Sequence, residues 1–205
     1  MRKVAALDDA VAEADPEVAA LFKVAMAAMA ADLPSPDHQR IAPDGLDVWR
    51  EAFRIIQSRE IWSVYGDFVE RVKPKFGPGV AERFAAAAKV TAEQAAEARV
   101  MQERARDRVR SIARPGTVLV LPTCPAIAPL THAPNDVHEA FRTRAMRMTC
   151  IAGLSGLPQM SLPIATIGGR PIGLSFIGWA GGDEASANIG TRTYDSPSAS
   201  MPMKP

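Results

Sequence analysis

The chain has 205 residues, enough for a domain with a core of its own and too many for a scaffold that depends on disulfide staples. Hydrophobic residues make up 47% and charged residues 23%, a balance typical of soluble globular proteins rather than disordered ones. The 24 basic and 23 acidic residues leave a net charge of +1, so no overall field favours binding of nucleic acid.

The number of cysteines and the length of the apolar segments indicate in which cellular compartment the protein is expected. Cys124 and Cys150 are too far apart for a Cys-x-x-Cys motif and too few for a disulfide framework, which favours a reducing environment. No segment approaches the ~20 apolar residues of a membrane span. Asp8 and Asp9 stand where a signal peptide would still be apolar. We therefore expect a cytoplasmic protein with no membrane partner.

The first two thirds of the chain predict helices. In Asp15-Pro16-Glu17, the aspartate can cap a helix, the proline is tolerated in the first turn, and the glutamate suits the positive end of the helix dipole. A helix is therefore predicted to begin there and to end before Leu33. A second helix is predicted from Leu46 to Val72, with a phase slip near Ser58 that marks a bend or a break. Val80 to Ala113 contains neither Gly nor Pro and predicts one long helix.

An arginine-rich run from Arg99 to Arg110 raises the question of a phosphate-binding stripe. Glu97, Glu103 and Asp107 are interleaved with the arginines at helical spacings that allow ion pairs. We therefore favour a solvated, salt-bridged helix face over a nucleic-acid site.

After Gly116 the pattern changes to strands. Thr117–Leu121 is an unbroken run of apolar β-formers, which predicts a strand buried on both faces of a sheet. A helix is predicted over Val137–Ile151 and two more strands over Met160–Ile164 and Ile172–Ile177. Three short strands leave apolar faces and edges open. The predicted fold class is α/β, with a helix-rich amino-terminal part packed on a few strands of an incomplete mixed sheet.

Several segments, taken together and in order, carry a resemblance to a known family. They are Phe76–Gly79, Leu119–Pro129, Ala152–Pro163 and Gly169–Gly178. The chain resembles the carboxyl-terminal half of the amidase signature family, nearest the branch of indole-acetamide and aryl-acetamide hydrolases. The resemblance implies a partial amidase domain over residues 1–185. Residues 186–205 depart from the family pattern, and we expect them to form a disordered tail.

The family resemblance implies hydrolysis of a carboxamide to an acid and ammonia. The family uses a serine nucleophile, a bridging serine with a cis peptide and a neutral lysine, supplied by a Lys-Asp motif and a Gly-Gly-Ser-Ser-Gly-Gly-Ser loop in its amino-terminal half. This sequence contains no adjacent serines, and none of its lysines is followed by Asp. We therefore assign no catalytic residue, metal or cofactor and predict an inactive fragment, leaving open whether the chain is itself an enzyme.

Two other functions remain open. The chain is either one half of a split amidase, completed by a partner that supplies the missing motifs, or the glutaminase-type subunit of a tRNA amidotransferase. The expected partners are a small-molecule amide once the fold is complete, and either a complementing fragment or further copies of the chain.

A substrate pocket is predicted near the carboxyl end of the first strand. Thr123, Cys124 and Pro125 lie just beyond it, at the edge where α/β sheets place their sites. The resemblance also implies that this loop approaches the substrate. Trp62 and Phe141 are candidates for an aromatic channel, with a place in the core as the alternative.

Two further motifs resemble reactive sites. Gly153-Leu154-Ser155-Gly156 lacks the spacing of a nucleophile elbow, because Leu157 stands where the second glycine belongs, so we predict a structural turn. His132, Asp136, His138 and Glu139 lack the spacing of a zinc site, so we predict an exposed polar loop.

Overall fold

The computed structural model describes residues 2–31, 33–77 and 79–184, so the predicted tail at 186–205 lies outside the described residues. The first half contains β1 (Lys3–Leu7), α1 (Asp8–Ala12), α2 (Pro16–Ala28), β2 (Asp37–Gln39) and α3 (Leu46–Val72). The second half contains α4 (Val80–Ala87), α5 (Ala92–Ile112), β3 (Thr117–Pro122), α6 (Asn135–Ser155), β4 (Gln159–Ile167) and β5 (Arg170–Ile177).

The strands form one mixed sheet in the order β2-β1-β3-β5-β4. β1 is parallel to both β2 and β3, with Val4 opposite Val118. β5 is antiparallel to β3 and to β4, and Ser175 of β5 lies opposite both Leu121 and Ser161. The α/β class with a mixed sheet is therefore confirmed.

Side chains on the two faces of the sheet pack into two separate cores. Leu119 and Leu121 of β3 point into a large core formed with α3, α5 and α6. Val118 and Val120 point the other way, into a smaller core that contains Phe22 from α2. This alternation confirms the prediction that β3 is buried on both faces, and it leaves α2 as the main cover of the second face.

The sheet has five strands where the sequence predicted three. β1 was missed because its Val-Ala-Ala-Leu sequence lies within a region of helical composition, yet it is almost fully buried between β2 and β3. β2 was missed because its three residues are polar and largely exposed, so only backbone pairing with β1 defines it. Neither strand carries the apolar alternation that identifies strands from sequence.

The prediction of one helix over Val80–Ala113 is wrong, because two helices occupy that segment. Thr91 begins α5 with a capping box: Gln94 N donates to Thr91 Oγ1 at 3.2 Å, and Thr91 N donates to Gln94 Oε1 at 3.0 Å. A helix start therefore needs neither Gly nor Pro before it. α3, by contrast, continues without a break past Ser58, and the phase slip coincides with the point where the helix leaves the large core after Ile56.

Three arginines of α5 bind groups outside that helix. Arg99 pairs with Glu60 of α3 at 3.6 Å. Arg108 donates to the carbonyl of Arg40 at 2.9 Å, and Arg110 donates to the carbonyl of Ser155 at 2.9 Å. These side chains fasten α5 to its neighbours.

Candidate functional site

Four polar side chains meet where β3, β5 and β4 lie side by side. The Ser175 hydroxyl lies 2.9 Å from Thr123 Oγ1 and 2.8 Å from Ser161 Oγ, and it accepts a hydrogen bond from Gln159 Nε2 at 3.0 Å. We call Thr123, Gln159, Ser161 and Ser175 the polar cluster. Ser175 is fully buried, whereas Ser161 is exposed. The cluster therefore connects the sheet interior to the surface.

The hydrogen-bonding capacity of Ser175 determines what the cluster offers. A hydroxyl has one proton to donate and two lone pairs to accept with. Gln159 occupies one lone pair of the Ser175 oxygen. The second lone pair accepts a proton from one of the two neighbouring hydroxyls, Thr123 or Ser161. Ser175 then donates its own proton to the other. The accepting residue then keeps its own proton for an acceptor outside the cluster, so the cluster presents one outward hydroxyl donor beside the second proton of Gln159 Nε2.

Gly173 of β5 allows Thr123 to lie close to the sheet. A Cβ at position 173 would come within 2.7 Å of Thr123 Oγ1, closer than packed atoms allow, and within 3.2 Å of the Leu162 carbonyl, which is a tight contact. Thr123 N also donates to the Gly173 carbonyl at 2.9 Å. The absence of a side chain at 173 is therefore what lets the loop after β3 join the cluster.

The other two predicted loop residues follow Thr123 directly. Cys124 is half-buried, and its Sγ donates to the Ala126 carbonyl at 3.2 Å. Burial raises the pKa of the Cys124 thiol, which keeps it protonated and weakens it as a nucleophile. Pro125 is buried, and its carbonyl accepts a hydrogen bond from Asp15 N at 2.7 Å. This bond joins the loop to the start of α2.

The two predicted channel aromatics lie elsewhere. Trp62 is a partly exposed residue of α3 whose indole lies across Gly66, with ring atoms 3.0 Å from the position of a Cβ there. Phe141 is a partly exposed residue of α6. Neither belongs to the polar cluster, so their role in a channel stays a prediction.

Neither Ser155 nor Cys150 is placed to act as a nucleophile. The Ser155 hydroxyl is buried and lies 2.8 Å from the Ile151 carbonyl and 3.1 Å from the Ala152 carbonyl of its own helix. Burial raises the pKa of Cys150 to about 12. His132 is exposed, and Glu139 pairs with Arg142. Within residues 2–31, 33–77 and 79–184, no three acidic, histidine or cysteine side chains come together as a metal site.

Three members of the polar cluster were not predicted from the sequence. Gln159 and Ser161 alternate with Met160 and Leu162 along β4, so the strand pattern marks them as one face. Ser175 likewise lies between apolar neighbours on β5. The signal was present in each strand, but only the register between the strands shows that the polar positions meet.

Replacing Ser175 with alanine is expected to lower the free energy of unfolding by about 1–2 kcal/mol, because three hydrogen bonds lose their common partner. Water can form hydrogen bonds with Thr123, Gln159 and Ser161 in place of Ser175, which limits the loss of stability. Ser63→Ala is the matched control, since the Ser63 hydroxyl donates to the Glu60 carbonyl on an exposed helix face. Urea denaturation of both variants measures the difference, and equal losses would contradict a special role for Ser175.

The chain resembles known proteins over nearly its whole described length. The family model described as Amidase matches residues 3–186. The chain belongs to the amidase family. Amidase 1 of Arabidopsis thaliana is 31% identical over 132 residues, covering 64% of this chain and 31% of that protein. Outer envelope protein 64, chloroplastic, from the same plant is 28% identical over 130 residues, covering 63% of this chain and 22% of that protein.

Solved structures show the same fold over slightly less than half of their own length. A bacterial aryl acylamidase of the amidase signature family has a TM-score of 0.79 at 15% identity, covering 97% of this chain and 44% of its own. A glutamyl-tRNA(Gln) amidotransferase component from Thermotoga maritima has a TM-score of 0.64 at 19% identity, covering 96% of this chain and 43% of its own. This amidase-family chain thus spans about a third of Amidase 1 and less than half of either structure.

The predicted cytoplasmic location is contradicted by the relatives of this amidase-family chain. Besides the chloroplast envelope protein, they include Outer envelope protein 64, mitochondrial, of Arabidopsis thaliana and Translocon at the outer membrane of chloroplasts 64 of Pisum sativum. These names point to organelle outer membranes. Composition and cysteine usage do not distinguish an organelle surface from the cytoplasm. No helix among the described residues has the length and apolar character needed to cross a membrane.

Proposed function

We propose that this chain is the carboxyl-terminal half of an amidase signature hydrolase, which adds water to a carboxamide and releases an acid and ammonia. In this proposal residues 1–185 are a partial amidase domain whose loop at Thr123, Cys124 and Pro125 lines the substrate pocket. The polar cluster carries the proposal, because it is a built hydrogen-bonding site that reaches the surface at Ser161.

The chemistry of the polar cluster suits a primary carboxamide. Such a group has a carbonyl oxygen that accepts and an NH₂ that donates. The outward hydroxyl proton of Thr123 or Ser161 is a donor for the carbonyl oxygen. Gln159 is bonded to Ser175 through its Nε2, which leaves its Oε1 as an acceptor for the amide NH₂. These two groups can orient the amide, but neither of them is a nucleophile that attacks its carbonyl carbon.

Attack on the amide carbonyl requires groups from another part of the fold. The sequence has no Lys-Asp and no Ser-Ser motif. In the described part of the chain, the Ser155 hydroxyl is bonded within its own helix, and both thiols have raised pKa values. We therefore propose that the chain alone is inactive and that an amino-terminal half supplies the nucleophile, the base and the oxyanion loop. Trp62 and Phe141 are proposed to line an aromatic channel outside the polar cluster.

Co-expression with an amino-terminal half from an amidase signature enzyme that carries both missing motifs tests the proposal. The chain alone is expected to release ammonia from an aryl acetamide no faster than a blank, and the co-purified complex is expected to release it well above the blank. The control complex carries alanine in place of the partner's nucleophilic serine and should remain at the blank.

Each other outcome of this experiment is decisive. Ammonia release by the chain alone, or an acyl adduct on one of its serines or cysteines, contradicts the proposed inactivity. A complex that hydrolyses glutamine and no aryl acetamide supports the glutaminase alternative instead. A complex that forms and hydrolyses neither substrate contradicts the proposed function.

A further inference from the structure

The loop between β3 and α6, residues 123–134, has no regular secondary structure and depends on other elements for its position. It carries Thr123, the loop member of the polar cluster. Among the described residues, two long-range backbone hydrogen bonds tie its first residues down. Thr123 N donates to the Gly173 carbonyl at 2.9 Å, and Asp15 N donates to the Pro125 carbonyl at 2.7 Å. The place of the loop therefore depends on the place of Asp15.

Asp15 stands at the start of α2 but does not cap that helix. Its backbone is extended, as in a capping residue, yet its carboxylate accepts no hydrogen bond from the first-turn amides of α2. The carboxylate instead accepts from Arg144 Nη2 of α6 at 2.7 Å, across 129 residues of sequence. A bond within the helix is thus replaced by a long-range one, which fixes Asp15 relative to α6.

Arg144 also holds the backbone just before Asp15. Its Nε donates to the Glu13 carbonyl at 3.0 Å, and its Nη2 donates to the same carbonyl. One planar guanidinium therefore bridges a carbonyl and a carboxylate in the connection between α1 and α2. A lysine ammonium is a single charged point on a flexible stem and cannot reproduce this bridge. Through these bonds α6 holds Asp15, and Asp15 holds Pro125.

Global stability alone does not account for this arrangement. The side chains of Arg144 and Asp15 are 33% and 48% exposed, and ion pairs in such settings contribute little to the free energy of unfolding. Arg142 pairs with Glu139 on the same helix, also in an exposed setting. What distinguishes the Arg144 pair is its place, because Asp15 bonds directly to the loop that reaches the polar cluster.

We propose that Arg144 is a positioning residue, which acts through Asp15 to hold the loop at Pro125 and so keeps Thr123 at the polar cluster. This inference rests on the proposed function. The described bonds of Arg144 go to Glu13 and Asp15 and not to the polar cluster. Its effect on the substrate amide is therefore indirect, through the place of the Thr123 hydroxyl. Displacing a binding group by about 1 Å costs up to about a hundredfold in efficiency.

Kinetics of the co-purified complex provide the first test. Arg144→Ala is expected to raise KM for an aryl acetamide about tenfold and to change kcat less than about threefold, since the loop binds the amide without attacking it. Arg144→Lys is expected to recover part of the loss, because its charge still reaches Asp15. Arg142→Ala is the matched control. It removes an ion pair from the same helix and should leave KM within about twofold.

A double-mutant cycle tests whether Arg144 acts through Asp15. Asp15→Ala keeps the backbone amide that binds Pro125 but removes the carboxylate, so it is expected to raise KM by a smaller factor than Arg144→Ala. The double variant Asp15→Ala/Arg144→Ala should resemble Arg144→Ala alone, because both changes break the same bond. Fully multiplicative increases in KM would show that Arg144 acts by another route and would overturn the inference.

Hydrogen–deuterium exchange of the chain alone measures the hold on the loop without any reaction. The amides of Asp15 and Thr123 are expected to exchange about fivefold faster or more in Arg144→Ala, and at an unchanged rate in Arg142→Ala. The amides of β3 should stay protected in both variants, which distinguishes a loosened loop from a loss of global stability. Circular dichroism and urea denaturation establish that each variant folds. If Arg144→Ala does not fold, Arg144→Lys carries both measurements.

The positioning role and the proposed function fail in different ways. An active complex whose KM is unchanged by Arg144→Ala overturns the positioning role and leaves the function standing. A raised KM without faster exchange overturns it as well, as do equal effects of Arg144→Ala and Arg142→Ala. A complex that hydrolyses nothing contradicts the function. The exchange rates of the Asp15 and Thr123 amides then decide by themselves whether Arg144 holds the loop.

Discussion

Trp49→Ala is expected to lower the free energy of unfolding by about 3–5 kcal/mol, among the largest losses for a single core substitution. Trp49 is 1% exposed and belongs to the large core between the sheet and the helices α3, α5 and α6. Alanine would leave a cavity that the surrounding helices and strands fill only in part. Urea denaturation followed by far-UV circular dichroism measures the loss.

Trp49→Phe is expected to cost much less, within about 1–2 kcal/mol of the unmodified chain. The Trp49 indole Nε1 is buried, and no described residue accepts its hydrogen bond. Phenylalanine fills most of the same volume and has no N–H group. Removing the unpaired buried donor therefore offsets part of the free energy lost with the indole's packing contacts. A loss as large as that of Trp49→Ala would show that the indole nitrogen has a partner in solution.

Trp62→Ala is the control for the Trp49 series, because Trp62 lies on the same helix but is partly exposed and outside both cores. We expect it to cost about 1 kcal/mol or less, since little apolar area is re-exposed. A loss comparable to that of Trp49→Ala would contradict the burial described for the two tryptophans.

Gly153→Val is expected to lower the free energy of unfolding by about 2–3 kcal/mol through overpacking. Gly153 lies on α6 where that helix contacts α3, and a Cβ there would come within 2.6 Å of Phe53 Cε2. Either the Phe53 side chain must leave its packed position or the two helices must separate to admit the new side chain. Thermal and urea unfolding of the variant provide the measurement.

Two companions of Gly153→Val test this cause. Gly77→Val is the control, because apart from its chain neighbours no atom of the described residues lies within 4 Å of a Cβ at position 77. We expect a change within about 0.5 kcal/mol. In the double variant Gly153→Val/Phe53→Ala the two losses should be less than additive, because removing the ring relieves the contact. Strict additivity would show that the two side chains do not meet.

The elements predicted well from the sequence are those whose own residues specify them. α2 begins at Pro16, and β3 is a run of β-branched and leucine residues, so local preference and burial agree. The predicted capping bond from Asp15 is wrong, because the Asp15 carboxylate binds Arg144 instead. β1 is the opposite case, because its alanines favour a helix and only the strands on either side hold it extended. Tertiary pairing outweighs local preference there, and no window of the sequence contains that information.

The candidate site was predicted in part for the same reason. Thr123 is predicted from the sequence because it directly follows a buried strand, which is a local feature of the chain. Its partners Ser161 and Ser175 lie on strands whose register sets Ser161 opposite Ser175 and Leu121 opposite Ser175. Register depends on the turn between β4 and β5 and on packing of both faces, so single-sequence patterns identify the polar positions without showing that they meet.

The position of β1 inside the sheet has a consequence for how the chain folds. Val4 and its neighbour Val118 are separated by more than half of the chain, so the ribosome makes β1 long before the strand that flanks it. Until β3 is made, one edge of β1 has no strand to pair with. Closing the long loop between β1 and β3 is also slow. Nascent chains of this protein are therefore expected to need chaperone protection of β1 until β3 emerges.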